Sequence, residues 1–316
     1  MIPLPGLRGA GVGLLGLVVA MIASAALLFA QLPDSSLFVQ LGKGKIVWWR
    51  AAEAPGEWTG PNPITSKAVH WSVLRPGLES ARLDLWGDHV GQHVAVILAR
   101  LDPAKFTLQL DKATNNSRPA WSIDSVPPNS ALAVNAGQFE GDRPWGWLVR
   151  GGKELQPPRP GPLSSALVVD RGGRASIIDA DEIPGARKRN DIVTAFQSYP
   201  AILMGHGRVP DPLRAPGRGV DLDHRDSRLA LGLLPDGRLL IALTRFAGAG
   251  SILSQLPMGP TTAEMAAIMG ALGCRRAVLL DGGLSGQLMI RDARNKIQRW
   301  PGLRAVPLGL TAISKP

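Results

Sequence analysis

Apolar runs of about four to eight residues, each closed by glycine, proline or an Asp-Gly pair, recur along most of this chain and commit it to many short strands. Ala81–Trp86 alternates cleanly between apolar and polar. His93–Ala99 and Phe106–Leu110 flank Asp102-Pro103, a turn signal, and are expected to pair as a hairpin. Ala131–Val134, Trp145–Val149, Ala166–Val169 and Ala175–Ile178 read as further strands, and Gly185–Asp191 as a basic loop. Val193–Leu203 is broken by the polar stretch Gln197-Ser198-Tyr199-Pro200, and 208–226 reads as a long exposed loop. Arg228–Leu234 and Arg238–Leu243 flank Pro235-Asp236-Gly237, the clearest hairpin signal in the chain. One helix stands out. Thr261–Glu264 is a capping box opening the apolar segment Met265–Leu272, and Gly273 closes it.

The N-terminal end obeys a different rule. Gly9–Pro33 carries no charge and Leu14–Ala30 is almost wholly apolar, long enough for the ~20 residues a bilayer crossing needs. Arg8 precedes it and the next basic residue is Lys43, so the positive-inside rule puts the start of the chain in the cytoplasm and the remainder outside. A cleavable signal peptide is the competing reading, and either implies export. The expected organisation is therefore a membrane anchor or signal segment over 1–32, a linker over 33–65 rich in proline, glycine and tryptophan, and a globular domain over 66–316. Its expected class is α+β, with a mixed, mostly antiparallel sheet and a few helices, preceded by one N-terminal transmembrane helix.

Cys274 is the single cysteine, which excludes an internal disulfide. The net charge of +10 raises nucleic acid as a partner, but the basic residues are scattered apart from Arg187-Lys188-Arg189. No helix-turn-helix, zinc-ligand spacing or RNA-binding aromatic signature accompanies them. Nucleic acid is therefore not expected. An exported basic domain better suits a sugar phosphate or an anionic glycan, with the membrane engaged through the N-terminal helix.

Polar clusters stand at the ends of several apolar runs. Ala277–Leu280 delivers Asp281, and Gly282-Gly283 lets the chain turn sharply before Ser285 and Gln287. An ordinary Asp-Gly hairpin turn is the competing reading. Ala131–Val134 delivers Asn135 and Gly137, and Arg228 opens another strand. Together they offer a carboxylate for acid–base or nucleophilic work, a guanidinium fork for phosphate oxygens, and amides for sugar hydroxyls. Asp221, Asp223, His224 and Asp226 sit close enough to suggest a metal loop but lack an EF-hand frame. No metal or cofactor is assigned. His206 or His224 is a candidate general acid, and Ser285 lacks the Gly-x-Ser-x-Gly frame of a hydrolase nucleophile.

The order and wording of these clusters resemble the phosphodiester glycosidase family. Asn135–Phe139 is similar to its Asn-Gly-Gly-Phe-Phe, and Gln197–Pro200 to its Gln-Ser-Gly-Pro. Ser227–Gly232 resembles its Arg-Thr-Ala-Ile-Gly hairpin, and Thr261–Leu288 resembles its helix and Leu-Asp-Gly-Gly-Gly-Ser-Ser ending. The likeness covers about residues 66–316. It implies hydrolysis of an α-linked sugar from a phosphodiester, with bacterial relatives linked to exopolysaccharide metabolism. Asp281 would be the acting carboxylate, as nucleophile or general base, and Arg228 would hold the phosphate. Asn135 and Gln197 would orient the sugar or phosphate, while Gly137, Ser198, Gly282, Gly283, Ser285 and Gln287 would line the site. The chain departs from the pattern at Leu284 and Gly286, at Gln138, and at Tyr199, its only tyrosine, which replaces a glycine. A non-catalytic glycan-binding or polymer-assembly module on the same fold and a metal-dependent phosphodiesterase are the alternatives.

Overall fold

The computed structural model describes residues 37–41, 43–49, 55–87, 93–115, 118–247 and 258–315. The anchor expected over 1–32 lies outside them, and among the described residues no helix is long and apolar enough to cross a membrane.

Three antiparallel sheets form the body. The largest has nine strands. Its central run is Ala201–Leu203, Arg276–Leu280, Leu229–Leu233, Leu239–Phe246, His93–Leu101 and Leu78–Gly87, with the last strand also pairing Ser72–Arg75. The second orders Lys153–Gln156, Leu148–Arg150, Ile192–Ser198, Ser165–Asp170 and Ala175–Asp179. The third orders Ile297–Trp300, Leu288–Arg291, Ser130–Asn135, Gly309–Ser314 and Phe106–Asp111. Every ladder among the described strands is antiparallel, so the mostly antiparallel expectation holds, and the parallel pairing that a mixed sheet requires is absent among them.

The near-continuous apolar runs have a direct cause. One face of the large sheet, through Leu229, Leu231, Ile241 and Val278, packs into a core shared with Leu167 and Phe196 of the second sheet and Leu132 and Leu310 of the third. The other face, through Ala230, Leu240 and Leu279, is covered by the helix Thr262–Ala271 and by Trp48 and Trp58. A strand buried on both faces has no use for alternation. Truncating one such leucine to alanine costs ~2–5 kcal/mol. The helix is apolar on nearly every side because all of it but Ala263 is buried, Glu264 included. Its capping box forms, the Glu264 N–H reaching Thr261 Oγ1 at 3.2 Å and the Thr261 N–H reaching Glu264 Oε2 at 2.9 Å. Trp58 lies so close that a Cβ on Gly270 would stand 2.3 Å from its ring.

Several sequence expectations need correction. His93–Leu101 and Phe106–Asp111 do not pair, because Asp102 caps a 3-10 turn at Pro103–Lys105 that carries the chain from the first sheet to the third. The stretch 185–191 is not all loop, since Ile183–Arg187 is a short helix docked through Ile183 and Ala186. Its basic tail is neutralised by Arg187 with Glu154 and Arg189 with Asp191. The segment 33–65 is more than a tether. Leu37–Leu41 extends the large sheet by pairing with Leu78–Gly87, Gly44–Trp49 pairs with Leu37–Leu41 at its edge, and Leu37, Val39 and Trp48 are buried. The segment after Asp281 is no hairpin, because Arg276–Leu280 belongs to the first sheet and Leu288–Arg291 to the third.

Candidate active site

That change of sheet makes the site. As the chain crosses from Leu280 to Leu288 it passes the end of Ser130–Asn135, the end of Ile192–Ser198 and the start of Leu229–Leu233, and a cavity of ≈ 670 Å³ opens there. Asp281, Gly282, Gly283, Ser285 and Arg228 line it, along with Asp226, His224, Arg304, Tyr199 and Phe139.

The loop that carries the acid is tied at many points. The Asp281 N–H donates to Gly137 O at 3.0 Å, and Asn135 Nδ2 donates to Asp281 O at 2.7 Å. Asn135 Oδ1 accepts the Gln287 N–H at 2.9 Å, so one buried amide staples both ends of the loop. The Gly283 N–H reaches Ser227 O at 2.6 Å. Glycine is required at this contact: a Cβ on Gly282 would lie 2.3 Å from Ser227 O, and Gly283 has φ +51° with Asp226 Oδ2 2.9 Å from where its Cβ would be. Behind the loop, buried Arg245 donates through Nη2 to Gly286 O and to Pro301 O (3.2 Å) and through Nη1 to Ser227 Oγ (2.9 Å). Burial without a compensating acid lowers its pKa to about 10.

The charges in the cavity are perturbed. Burial raises the Asp281 carboxyl above the ordinary range, aided by the like charge of Asp226 and opposed by the Ser285 hydroxyl and the Arg304 guanidinium. Burial also raises Asp226, against the pull of Arg228, the Ser227 N–H (2.7 Å) and His224, whose Nε2 stands 3.8 Å away. Burial lowers Arg228, and Asp226 is the largest of the acids opposing that shift. Arg228 is held in place by Nε to Pro260 O (3.1 Å) and Nη2 to His224 O (2.6 Å). Two recessed carboxylates beside a guanidinium form a set whose members differ in environment, the usual basis for dividing acid and base work.

Sequence reasoning grouped other residues with these, and the structure separates them. Gln197 does not line the cavity. Its Oε1 accepts the N–H groups of Trp147 (2.9 Å) and Arg159 (3.0 Å), and its Nε2 donates to Arg159 O (2.9 Å) and Ser164 Oγ (2.8 Å). Ser198 spends its hydroxyl on Leu279 O at 2.5 Å, and Gln287 accepts the Ile123 N–H at 3.0 Å. Asn135 and Gly137 are buried behind Asp281, so contact with a sugar is replaced by support of the acid loop. His206 sits in an exposed turn away from the cavity, whereas His224 is at its edge. In the sequence Asp226 stands only as part of a possible metal loop. Its neighbour Asp221 instead caps its own turn, accepting the N–H groups of Asp223 and His224 at 3.0 Å each. Among the described residues no three His, Cys, Asp or Glu side chains are grouped to hold a metal ion. The signal that could have promoted Asp226 is its place two residues before Arg228, at the mouth of the clearest hairpin. Arg304 had no local signal at all.

Comparison with known proteins adds a family match. A family described as phosphodiester glycosidase matches residues 128–312, more than half of the chain and the whole span of the cavity's charged residues. No curated protein matches the chain. Among solved structures, the catalytic domain of zebrafish N-acetylglucosamine-1-phosphodiester α-N-acetylglucosaminidase, auto-inhibited by its pro-peptide, superposes with a TM-score of 0.56 at 16% identity, covering 82% of this chain and 95% of that one. The two share a fold. A hypothetical protein from Synechocystis gives a TM-score of 0.46 at 14% identity over 78% of this chain and 64% of that one, so the present chain spans less than two thirds of its length.

Proposed function

The chain belongs to the phosphodiester glycosidase family, and from that premise we propose that it hydrolyses an α-linked sugar from a phosphodiester, releasing the free sugar and a phosphomonoester. The observation that carries this reading is the meeting in one cavity of Asp226 and Arg228 with Asp281, whose own loop is held from behind by Asn135 and Arg245.

In this mechanism Asp281, ionised, supplies the electron pair at the anomeric carbon, either by taking a proton from the attacking water or directly. In the direct case water then displaces the sugar from the Asp281 ester and frees the carboxylate. The bond from that carbon to the phosphate oxygen breaks, and its electrons leave with the phosphate. A phosphate leaving group is stable as an anion and needs little protonation. Arg228 balances its growing charge, since its guanidinium is recessed, fixed by carbonyls and worth more there than in water. Asp226 attracts the Arg228 charge and, with its raised pKa, is placed to exchange a proton with the incoming water or the departing oxygen. Ser285 steadies Asp281 through its hydroxyl. The uncharged segment 9–33 after Arg8 supports a location outside the cytoplasm, on an envelope or exopolysaccharide substrate.

The test is an assay of the purified chain on methyl phosphodiesters of α-glucose and α-N-acetylglucosamine. Free sugar and methyl phosphate should appear in equal amounts. Release of methanol with sugar 1-phosphate would show cleavage on the other side of phosphorus and remove Asp281 from its role. No release from either diester would remove the reading for these sugars.

A further inference from the structure

Arg228 keeps an open guanidinium in a neighbourhood that holds more than one acid. Among the described residues its side chain donates to two carbonyls, Pro260 O and His224 O, and no carboxylate closes an ion pair with it. Burial sets the direction of its pKa shift, and of the acids that oppose burial Asp226 acts most strongly and Glu264 next. Asp226 is engaged by the Ser227 N–H and by His224. Glu264 calls for a separate account.

Glu264 lies one peptide unit away from Arg228. Arg228 Nε donates to the carbonyl of Pro260 at 3.1 Å. The N–H of Thr261, the other half of that peptide, donates to Glu264 Oε2 at 2.9 Å. With 2% of its side chain exposed, Glu264 needs a cation to stay ionised. Two arginines of the same segment stand near enough to supply one, and Arg225 does so. Its Nη1 donates to Glu264 Oε2 at 2.7 Å and its Nη2 to Oε1 at 2.8 Å, so one planar guanidinium closes both oxygens. Nη1 also approaches Gly259 O at 3.4 Å. Neither Arg225 nor Glu264 lines the cavity.

A pair this buried is a poor source of stability, because the desolvation of two charges offsets their attraction. Its place beside Arg228 gives it another use. We infer that Arg225 is a positioning residue: by holding both oxygens of Glu264 it keeps Arg228 from turning onto that acid, and so leaves the Arg228 guanidinium free for phosphate. This rests on the hydrolase reading above for the ligand of Arg228. An Arg228 folded onto Glu264 would be neutralised and withdrawn from the cavity. Lysine at 225 would serve less well, because an ammonium is a point charge without the fork that covers two oxygens.

The experiment measures kcat/KM on the methyl phosphodiesters of α-glucose and α-N-acetylglucosamine. Arg225→Gln should lower it about tenfold to a hundredfold, the worth of a charge-assisted hydrogen bond to phosphate. Adding Glu264→Gln should return it to within about threefold of wild type, since the competing acid is gone and glutamine still suits the helix cap. A merely structural ion pair would give no such rescue. On an Arg228→Met background, Arg225→Gln should cause no further loss. Where Arg225→Gln does not fold, Arg225→Lys takes its place, with a loss of about threefold that Glu264→Gln removes. A first variant at the wild-type rate, or a loss that Glu264→Gln leaves in place, overturns the proposal. Calorimetric binding of the two diesters and of inorganic phosphate to Asp281→Asn gives a readout independent of turnover. If neither diester is hydrolysed, the hydrolase reading fails for these sugars, while affinity lost with Arg225→Gln and regained with Glu264→Gln still supports the positioning role. Binding that is absent, or that neither substitution changes, overturns it.

Discussion

Asp281 and Gln197 look alike in the sequence, each a polar residue at the end of a short apolar strand within a family-like motif, yet they end in opposite circumstances. Gln197 has both ends of its amide engaged by protein groups and is fully buried. Asp281 lines an open cavity with a carboxyl driven up by burial and held by one hydroxyl and the field of Arg304. Asn135, Ser198 and Gln287 side with Gln197, and Asp226 and Arg228 side with Asp281. The first set converts polarity into rigidity. The second keeps its charge available because the first holds the backbone still.

Substitution should divide the two sets most sharply at Asp281. Asp281→Asn keeps the side chain's shape and leaves the backbone bonds to Asn135 and Gly137 intact, so the fold should be retained. Loss of the acting carboxylate should lower kcat about 10²–10⁴-fold. Thermal melting at neutral pH should not fall, because an amide is cheaper to bury there than a carboxylate. A variant with wild-type turnover would merge the two sets and end the assignment.

Gln197→Ala is the mirror experiment. It strips partners from the buried Trp147 N–H and Ser164 hydroxyl and from the part-buried N–H and carbonyl of Arg159. At ~1–3 kcal/mol for each buried group left unsatisfied, offset by partial rearrangement, a loss of about 3 kcal/mol in unfolding free energy is expected. Turnover per folded molecule should stay near wild type, measured below the new melting point. If stability is untouched while turnover collapses, Gln197 belongs with the reacting groups after all.

The uneven legibility of the chain follows from the same division. Strand positions were readable because burial on two faces leaves unbroken apolar runs such as Leu229–Leu233, and the helix start was readable because its capping box is local. Pairing was readable at Pro235-Asp236-Gly237, where Leu229–Leu233 and Leu239–Phe246 form the expected hairpin, but not at Asp102-Pro103 and Asp281-Gly282, which look like hairpin turns and in fact carry the chain between sheets. Ser72–Arg75, Ile297–Trp300 and Gly309–Ser314 gave weak signals, the first two being largely exposed and the last small and polar in part. At the site, motif positions could be found but not their orientation. An amide that faces a sugar and an amide that braces a loop are the same letters, and only the partners contributed by residues such as Arg159, Ser164 and Arg304 tell them apart.

The smallest expected effect concerns the coupling inside the charged set. Asp226 raises the Asp281 pKa and the Ser285 hydroxyl lowers it. Ionised Asp281 is the active form, so kcat/KM should fall as pH drops through its raised pKa, and the limb belongs to the interacting pair of carboxylates. Asp226→Asn removes a like charge and should move that limb to lower pH, whereas Ser285→Ala removes a bond to the ionised form and should move it higher. Folding stability obeys the same sign. A carboxyl whose folded pKa lies above its unfolded value stabilises the fold fully below the unfolded value and loses that contribution as pH rises through the folded one. The advantage of Asp281→Asn over wild type in melting temperature should therefore grow from mildly acidic to neutral pH. Limbs moving the same way in both variants, or a melting advantage that shrinks as pH rises, would show that Asp281 and Asp226 do not share one field, and the contrast between braced and available polar groups would have to be redrawn around a single acid.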